Sequence, residues 1–93
     1  MYRVFLSNRY KKSLKRAKQF RNFDQVAVES VVKILEHGGE LDARYYDHEL
    51  KGEYAGIREC HVKNDLLLLY QKKDNILVLL LVDIGTHASV FGT

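Results

Sequence analysis

The segment LLLLYQKKDNILVLLLVDI, residues 66–84, contains the most apolar stretches of the chain and decides its fold. Leu66 to Gln71 and Ile76 to Ile84 are rich in aliphatic residues, and the polar residues 72–75 between them are typical of a hairpin connection. The apolar residues are consecutive and do not alternate with polar ones. This pattern indicates a sheet that is covered on both faces or lies in a partner interface. The segment therefore predicts a covered β-hairpin.

Two helices are predicted upstream of this hairpin. Ser7 is a suitable N-cap, and the residues after it show helical spacing of apolar side chains until Asn22 interrupts the pattern. Asp24 can cap a second helix, which Gly38-Gly39 ends. His37 lies in the last turn of this helix, where the helix dipole favours it, and we assign it no functional role.

The remaining segments complete the predicted element order. Residues 2–6 are expected to form a short strand, residues 40–52 a loop, and Glu53 to Val62 a further strand, with Asn64-Asp65 as a turn. Residues 85–91 are expected to form a turn that brings His87 and Phe91 to one side. The predicted fold class is α+β, in the order β-α-α-β-β-β, with two N-terminal helices packed on a mostly antiparallel sheet.

Length and composition are those of one small globular domain spanning residues 1–93, without cofactor-binding Gly-rich loops. The single cysteine, Cys60, excludes an internal disulfide framework and favours a reducing compartment. The N-terminal residues lack the apolar core of a signal peptide, and the longest apolar run is too short to span a bilayer. A soluble, cytoplasmic protein without membrane contact is expected.

Charge is distributed unevenly along the chain. Residues 1–22 carry eight basic side chains and no acidic one, whereas residues 23–93 carry seven basic and twelve acidic side chains. Such asymmetry is typical of a face that binds a polyanion, although a solvated helix face has the same appearance. The candidates for contact with RNA on the first helix are Lys11, Lys12, Lys15, Arg16 and Lys18.

The second half of the chain contains a set of residues suited to acid–base chemistry: His48, His61, Asp65, His87 and Phe91. RNA can be cut without a metal when a base removes the 2′-hydroxyl proton and an acid protonates the departing 5′-oxygen. The histidines and the aspartate supply such groups. Arg58 can stabilise phosphoryl charge, and Phe91 or Tyr70 can stack on a base.

Each of these residues also has a structural interpretation. Asp65 is a common turn residue, Phe91 can close a core, and His48 and His87 can be ordinary loop histidines. Along a strand Cys60 and His61 should point to opposite faces, with His61 on the open one. His61 and Asp65 with Cys60 or His48 could ligate zinc, but no paired ligand spacing is present. We therefore expect no metal and no cofactor.

Four motifs together resemble the YafQ branch of the RelE/ParE superfamily of bacterial toxins, in the order and spacing of that branch and over nearly the whole chain. They are YDHELKG (46–52), GIRECHV (56–62), DLLLLY (65–70) and GTHASVF (85–91). The resemblance implies a RelE-like α+β toxin domain. It also implies a ribosome-dependent endoribonuclease that cuts mRNA and is silenced by a cognate antitoxin of the DinJ type. In such toxins the active site is formed by the positions of His48, His61, Asp65, His87 and Phe91.

One residue departs from the family pattern. The family usually has a basic residue shortly before the Gly-Thr-His segment, and Asp83 stands in that region here. An arginine there would neutralise the scissile phosphate, whereas an aspartate would repel it. Transition-state charge must then be met by Arg58, by protonated histidines or by ribosomal groups. This departure keeps open a ParE-like inhibitor of gyrase, although the histidines argue against it. A third possibility is a non-catalytic protein that only binds an antitoxin.

Overall fold

The computed structural model describes residues 1–92. The elements, in chain order, are β1 (Arg3–Leu6), α1 (Asn8–Ala17), α2 (Gln25–Glu36), β2 (His48–Glu49), β3 (Arg58–Lys63), β4 (Leu66–Lys73), β5 (Val78–Gly85) and α3 (His87–Phe91). Single 3₁₀ turns precede and follow β2, at Ala43–Tyr45 and Gly52–Tyr54.

The five strands form one sheet in the order β1-β5-β4-β3-β2. The β1–β5 pair is parallel, and the other three pairs are antiparallel. The predicted hairpin forms its centre, since β4 and β5 lie between the other strands. The predicted α+β class, with two N-terminal helices on a mostly antiparallel sheet, is confirmed.

Helices α1 and α2 cover one face of the sheet, which we call the helix face. Buried residues of both helices, including Tyr10, Val31 and Leu35, pack there against alternate residues of the central strands. Cys60 lies in this core with no exposed surface, and its burial raises the pKa of the thiol to about 12. The thiol is therefore protonated and shielded at neutral pH.

The other face, which we call the α3 face, has a smaller apolar core. Leu67 and Leu69 of β4 are fully buried under Val90 of α3, and half-buried side chains such as Tyr54 and Phe91 surround them. The consecutive leucines of β4 are thus explained, because each face of the strand is covered by a different set of elements.

Several predicted boundaries were wrong. Helix α1 ends at Ala17, and residues 18–22 form turns and a bend before α2. The predicted loop 40–52 contains the short strand β2, whereas the predicted strand 53–62 begins only at Arg58. Strand β5 begins at Val78 because Leu77 has a left-handed backbone, which ends the hairpin turn. The differences in residues 40–62 arise because pairing between β2 and β3, and not local pattern, decides the conformation there.

Among residues 1–92, no helix has both the length and the apolar character needed to cross a bilayer.

Candidate active site

A buried carboxylate lies beneath two histidines on the α3 face. Glu59 and His61 are two residues apart on β3, so both side chains point to the same face. His48 pairs directly with Glu59 from β2. The Nε2 atoms of His61 and His48 lie 3.3 and 3.6 Å from Glu59 Oε1. Glu59 is only 4% exposed. A buried carboxylate at this distance stabilises a positive charge on either imidazole.

His87 joins the same cluster from the first residue of α3. Its ring centroid lies 5.4 Å from that of His61. Asp65, in the turn between β3 and β4, holds His87 by two contacts to Oδ1: the backbone N–H donates at 3.1 Å and the ring Nδ1 lies at 2.6 Å. Asp65 thus acts as an orienting group for His87.

Hydrogen bonds of the two exposed histidines assign their tautomers. A carbonyl and a carboxylate only accept hydrogen bonds, so Nδ1 of His48, at 2.6 Å from the Tyr46 carbonyl oxygen, and Nδ1 of His87 are the protonated atoms. In the neutral form each Nε2 then carries the lone pair. Both side chains are about half exposed, at 51%. The site therefore presents two imidazoles that can accept or donate a proton at the surface.

Gly85 allows α3 to approach the sheet closely enough to deliver His87. Its φ is +154°, and a Cβ there would lie 2.3 Å from Ser89 Oγ. That hydroxyl belongs to the capping box with Thr86 that starts α3. A side chain at residue 85 would therefore displace the start of the helix.

Phe91 lies at the edge of the cluster, one helical turn from His87. The two ring centroids are 6.4 Å apart, and Phe91 meets the ring of Tyr54 edge-on at 5.3 Å. Tyr46 lies at another edge, with its ring 5.4 Å from that of His61 and most of its side chain exposed. Aromatic rings in such positions offer surfaces on which RNA bases can stack.

Arg58 and Tyr70 are not brought to this cluster. They pair with each other across β3 and β4 on the helix face. Both bind Asp47: the Arg58 guanidinium donates to its carboxylate at 3.3 Å, and the Tyr70 hydroxyl donates at 2.6 Å. Substrate binding by these two residues stays a prediction, and their position on the opposite face does not favour it.

The basic residues of α1 lie on the helix side of the sheet. Tyr10 and Ala17 of this helix are buried against the sheet. The basic side chains predicted to contact RNA are all exposed: Lys11, Lys12, Lys15, Arg16 and Lys18. The helix therefore presents a cationic outer surface, separate from the histidine cluster, on which a nucleic-acid backbone can bind.

Asp83 is not free to repel a phosphate. It lies on β5 with 2% of its surface exposed, and its carboxylate is bound by Arg9 at 2.8 Å. The aspartate at the position where the resemblance predicts a basic residue is thus paired with Arg9 of α1.

The sequence interpretation missed Glu59, although a signal was present. A residue two positions before His61 on a strand shares its face, as the opposite placement of Cys60 already implies. Three residues of the cluster can hold a transition-metal ion: Glu59, His61 and His87. Each offers one ligand atom, and these atoms all lie within 4.8 Å of one another. The zinc set considered from the sequence differs, because Cys60 lies on the other face.

Lowering the pH should loosen the link between Asp65 and His87. Hydrogen bonds from the His87 side chain and backbone lower the pKa of Asp65 below its ordinary 3.8. The stabilisation that the ionised Asp65 gives to the fold is thus complete above pH 3.8. It is lost as the pH falls through the lowered pKa of Asp65. We expect the His87 amide resonance in NMR to titrate below pH 3.8 in the wild type and not in Asp65→Asn. In an Asp42→Asn control the His87 amide resonance should titrate as in the wild type. If it also titrates unchanged in Asp65→Asn, the proposed link between Asp65 and His87 is wrong.

The fold and the cluster define a small α+β protein with an open histidine–carboxylate cluster on one sheet face and a cationic helix on the other. The sequence profile of the family described as "Bacterial toxin of type II toxin-antitoxin system, YafQ" matches residues 2–92. The mRNA interferase toxin YafQ of Escherichia coli strain K12 is 36% identical over 87 residues, covering 92% of this chain and 91% of that protein.

Two solved structures have the same fold. A metal-bound toxin from Helicobacter pylori is 38% identical with a TM-score of 0.87, covering 98% of this chain and all of that one. The toxin of the E. coli DinJ–YafQ complex is 30% identical with a TM-score of 0.85, covering 99% of this chain and all of that one. The chain belongs to the YafQ family of toxins of type II toxin–antitoxin systems.

Proposed function

We propose that this toxin is a ribosome-dependent mRNA endoribonuclease that inhibits translation. The observation that carries the proposal is the arrangement of His48, His61 and His87 around the buried Glu59, with Asp65 orienting His87. The relative from E. coli is named an mRNA interferase, which gives the substrate class. The supporting argument is that several groups able to exchange protons near neutral pH meet at one exposed surface.

Cleavage would proceed by internal phosphoryl transfer. A neutral imidazole removes the 2′-hydroxyl proton, the 2′-oxygen bonds to phosphorus, and the bond from phosphorus to the 5′-oxygen breaks. A protonated imidazole donates its proton to that 5′-oxygen. The products are a 2′,3′-cyclic phosphate and a free 5′-hydroxyl. Proton transfer is assigned jointly to His48, His61, Asp65 and His87, with Asp65 acting on His87. Phe91 positions the substrate base.

The proposed function implies two partners, the ribosome and an antitoxin. The cationic surface of α1 would bind ribosomal RNA, since its exposed lysines and arginine can neutralise backbone phosphates. A relative of known structure forms the DinJ–YafQ complex, so we propose a DinJ-like antitoxin that neutralises this toxin.

The test is to induce the chain in bacteria without antitoxin and map mRNA 5′ ends. A reporter with an intact start codon should be cut, and the same reporter without a start codon should not. In a translation reaction, a 2′-deoxynucleotide at the cut position should block cleavage. A DNA-damage response without mRNA cuts would indicate a gyrase inhibitor instead. The absence of any growth defect would indicate a protein that only binds an antitoxin.

A transition metal should inhibit this nuclease. An imidazole nitrogen bound to a metal cannot exchange a proton, and Glu59, His61 and His87 can bind one together. The H. pylori relative was crystallised with a metal bound. We expect toxin that was stripped of metal with EDTA and then desalted to keep cleaving in a magnesium-containing translation reaction. Cleavage should fall when Cu²⁺ is added, because copper binds most strongly among such divalent ions. Glu59→Gln should weaken copper binding in calorimetry. Loss of cleavage by the stripped toxin, restored when a transition metal is added back, would show instead that a metal takes part.

A further inference from the structure

The ion pair between Arg9 and Asp83 joins α1 to the α3 face. Asp83 pairs with Leu69 on β4, and Leu69 pairs with Glu59 on β3, so the three residues form one row across the sheet. Asp83 and Glu59 are thus two strand spacings apart, about 10 Å. Both Arg9 Nε and Nη2 lie 2.8 Å from Asp83 Oδ2. A cation from α1 is therefore fixed against one end of this row, and the buried carboxylate of the cluster lies at the other end.

Arg9 reaches this face around an open edge of the sheet. Strand β1 ends at Leu6, which pairs with Leu81. Among residues 1–92, β5 therefore has no neighbouring strand on that side from Val82 onward. Ser7 donates its side-chain hydroxyl to the Val82 carbonyl at 2.8 Å and starts α1 there. The first turn of a helix normally disfavours a cation. The buried charge of Asp83 offsets this preference.

The guanidinium of Arg9 lies beside the aromatic edge of the site. Nη2 also donates to the Val90 carbonyl at 3.0 Å, next to Phe91. The Arg9 Cζ atom lies 6.0 Å from the centroid of the Tyr54 ring, which contacts Phe91. Nearly half of the Arg9 side chain, 47%, is exposed. Nε and Nη2 bind Asp83 and Val90, and Tyr54 is a further side-chain hydrogen-bond partner of the guanidinium. A guanidinium has five N–H groups, so at least one remains to donate to a ligand.

We propose that Arg9 binds a phosphate of the RNA next to the base held by Phe91, and that Asp83 is the positioning residue that holds Arg9 there. The inference rests on the proposed nuclease function and adds a substrate contact to it. The cation that the family pattern carries near residue 83 would in this chain come from α1. An arginine suits this role because its planar group can bind Asp83 and a phosphate through different edges.

The alternative is that the Arg9–Asp83 ion pair only stabilises the fold. A double variant with two neutral side chains distinguishes this alternative from a role in RNA binding. Arg9→Gln with Asp83→Asn removes both charges, so the net charge is unchanged and no unpaired charge is buried. The matched control is Lys63→Gln with Asp24→Asn, which removes the Lys63–Asp24 pair at 3.1 Å and also keeps the net charge. Asparagine preserves the capping of α2 by residue 24. Circular dichroism melts establish that both double variants fold.

The measurement is the affinity for a fluorescent 2′-O-methyl RNA oligonucleotide, which cannot be cut, at several salt concentrations. Loss of one phosphate contact should lower the slope of log K against log salt by about 0.7. We expect the Arg9/Asp83 variant to show this change and an affinity about tenfold lower at low salt, because a charge-assisted hydrogen bond is lost. The control should match the wild type.

The role of Arg9 and the nuclease function are tested by different measurements: oligonucleotide binding tests the first, and mRNA cleavage tests the second. An unchanged salt slope in the folded Arg9/Asp83 variant, or no oligonucleotide binding by the wild type, overturns the role of Arg9. If the wild type binds RNA with the Arg9-dependent slope but never cuts mRNA, the nuclease proposal fails and the Arg9 contact stands.

Discussion

Replacing His87 with glutamine should abolish toxicity and lower the rate of mRNA cleavage by about 10²- to 10⁴-fold, the usual contribution of a group that transfers a proton. Glutamine keeps much of the size and polarity of histidine but cannot exchange a proton near neutral pH. The His87 side chain is half exposed, so the substitution should leave the melting temperature nearly unchanged. Growth after induction and primer extension on ribosome-bound mRNA measure the two effects.

The chain contains its own control for this experiment. His37 follows the last turn of α2 and is exposed like His87, but it makes no contact with the cluster. His37→Gln should be fully toxic. The catalytic assignment would be wrong if His87→Gln and His61→Ala both retained full toxicity.

Replacing Glu59 with glutamine should lower cleavage on the order of a hundredfold, the usual effect of losing one electrostatic contact with a developing charge. Glutamine fits the same space but has no charge to stabilise an imidazolium at His61 or His48. Stability should change little, because glutamine keeps the shape of the side chain and both imidazoles facing it are partly exposed to water. A loss of activity without a loss of stability would assign Glu59 to the site.

The matched control is Glu49→Gln, on the exposed strand β2. It removes the same charge from the surface next to His48 and should leave cleavage within about threefold of the wild type, since exposed charges are screened. Equal activities of the two glutamine variants would contradict the role of Glu59.

Much of the fold follows from local pattern. The central hairpin, both N-terminal helices and their caps at Ser7 and Asp24 were predicted and are present, because apolar spacing and capping act between near neighbours in the chain. The strand β2 was missed. Its two residues carry too little pattern, and only pairing with β3 makes them a strand.

The candidate site was predicted in part. The structure brings His48, His61 and His87 together, with Asp65 and Phe91 in contact with His87, and it places Arg58 and Tyr70 on the other face. The alternation that separates Cys60 from His61 also separates Arg58 from His61, so that part could have been predicted. The pairing of Asp83 with Arg9 could not, because the two residues are 74 positions apart.

The sequence by itself determined the fold class, the family and the set of titratable groups available for chemistry. These depend on local spacing and on residue identity, which a sequence states directly. Only the tertiary structure decided that Glu59 lies beneath the histidines and that the charge of Asp83 is offset by Arg9. Both outcomes depend on the register between strands, which places Glu59 and Asp83 on the α3 face. The second also depends on where β1 ends, because that end lets Arg9 reach Asp83 and offset its charge.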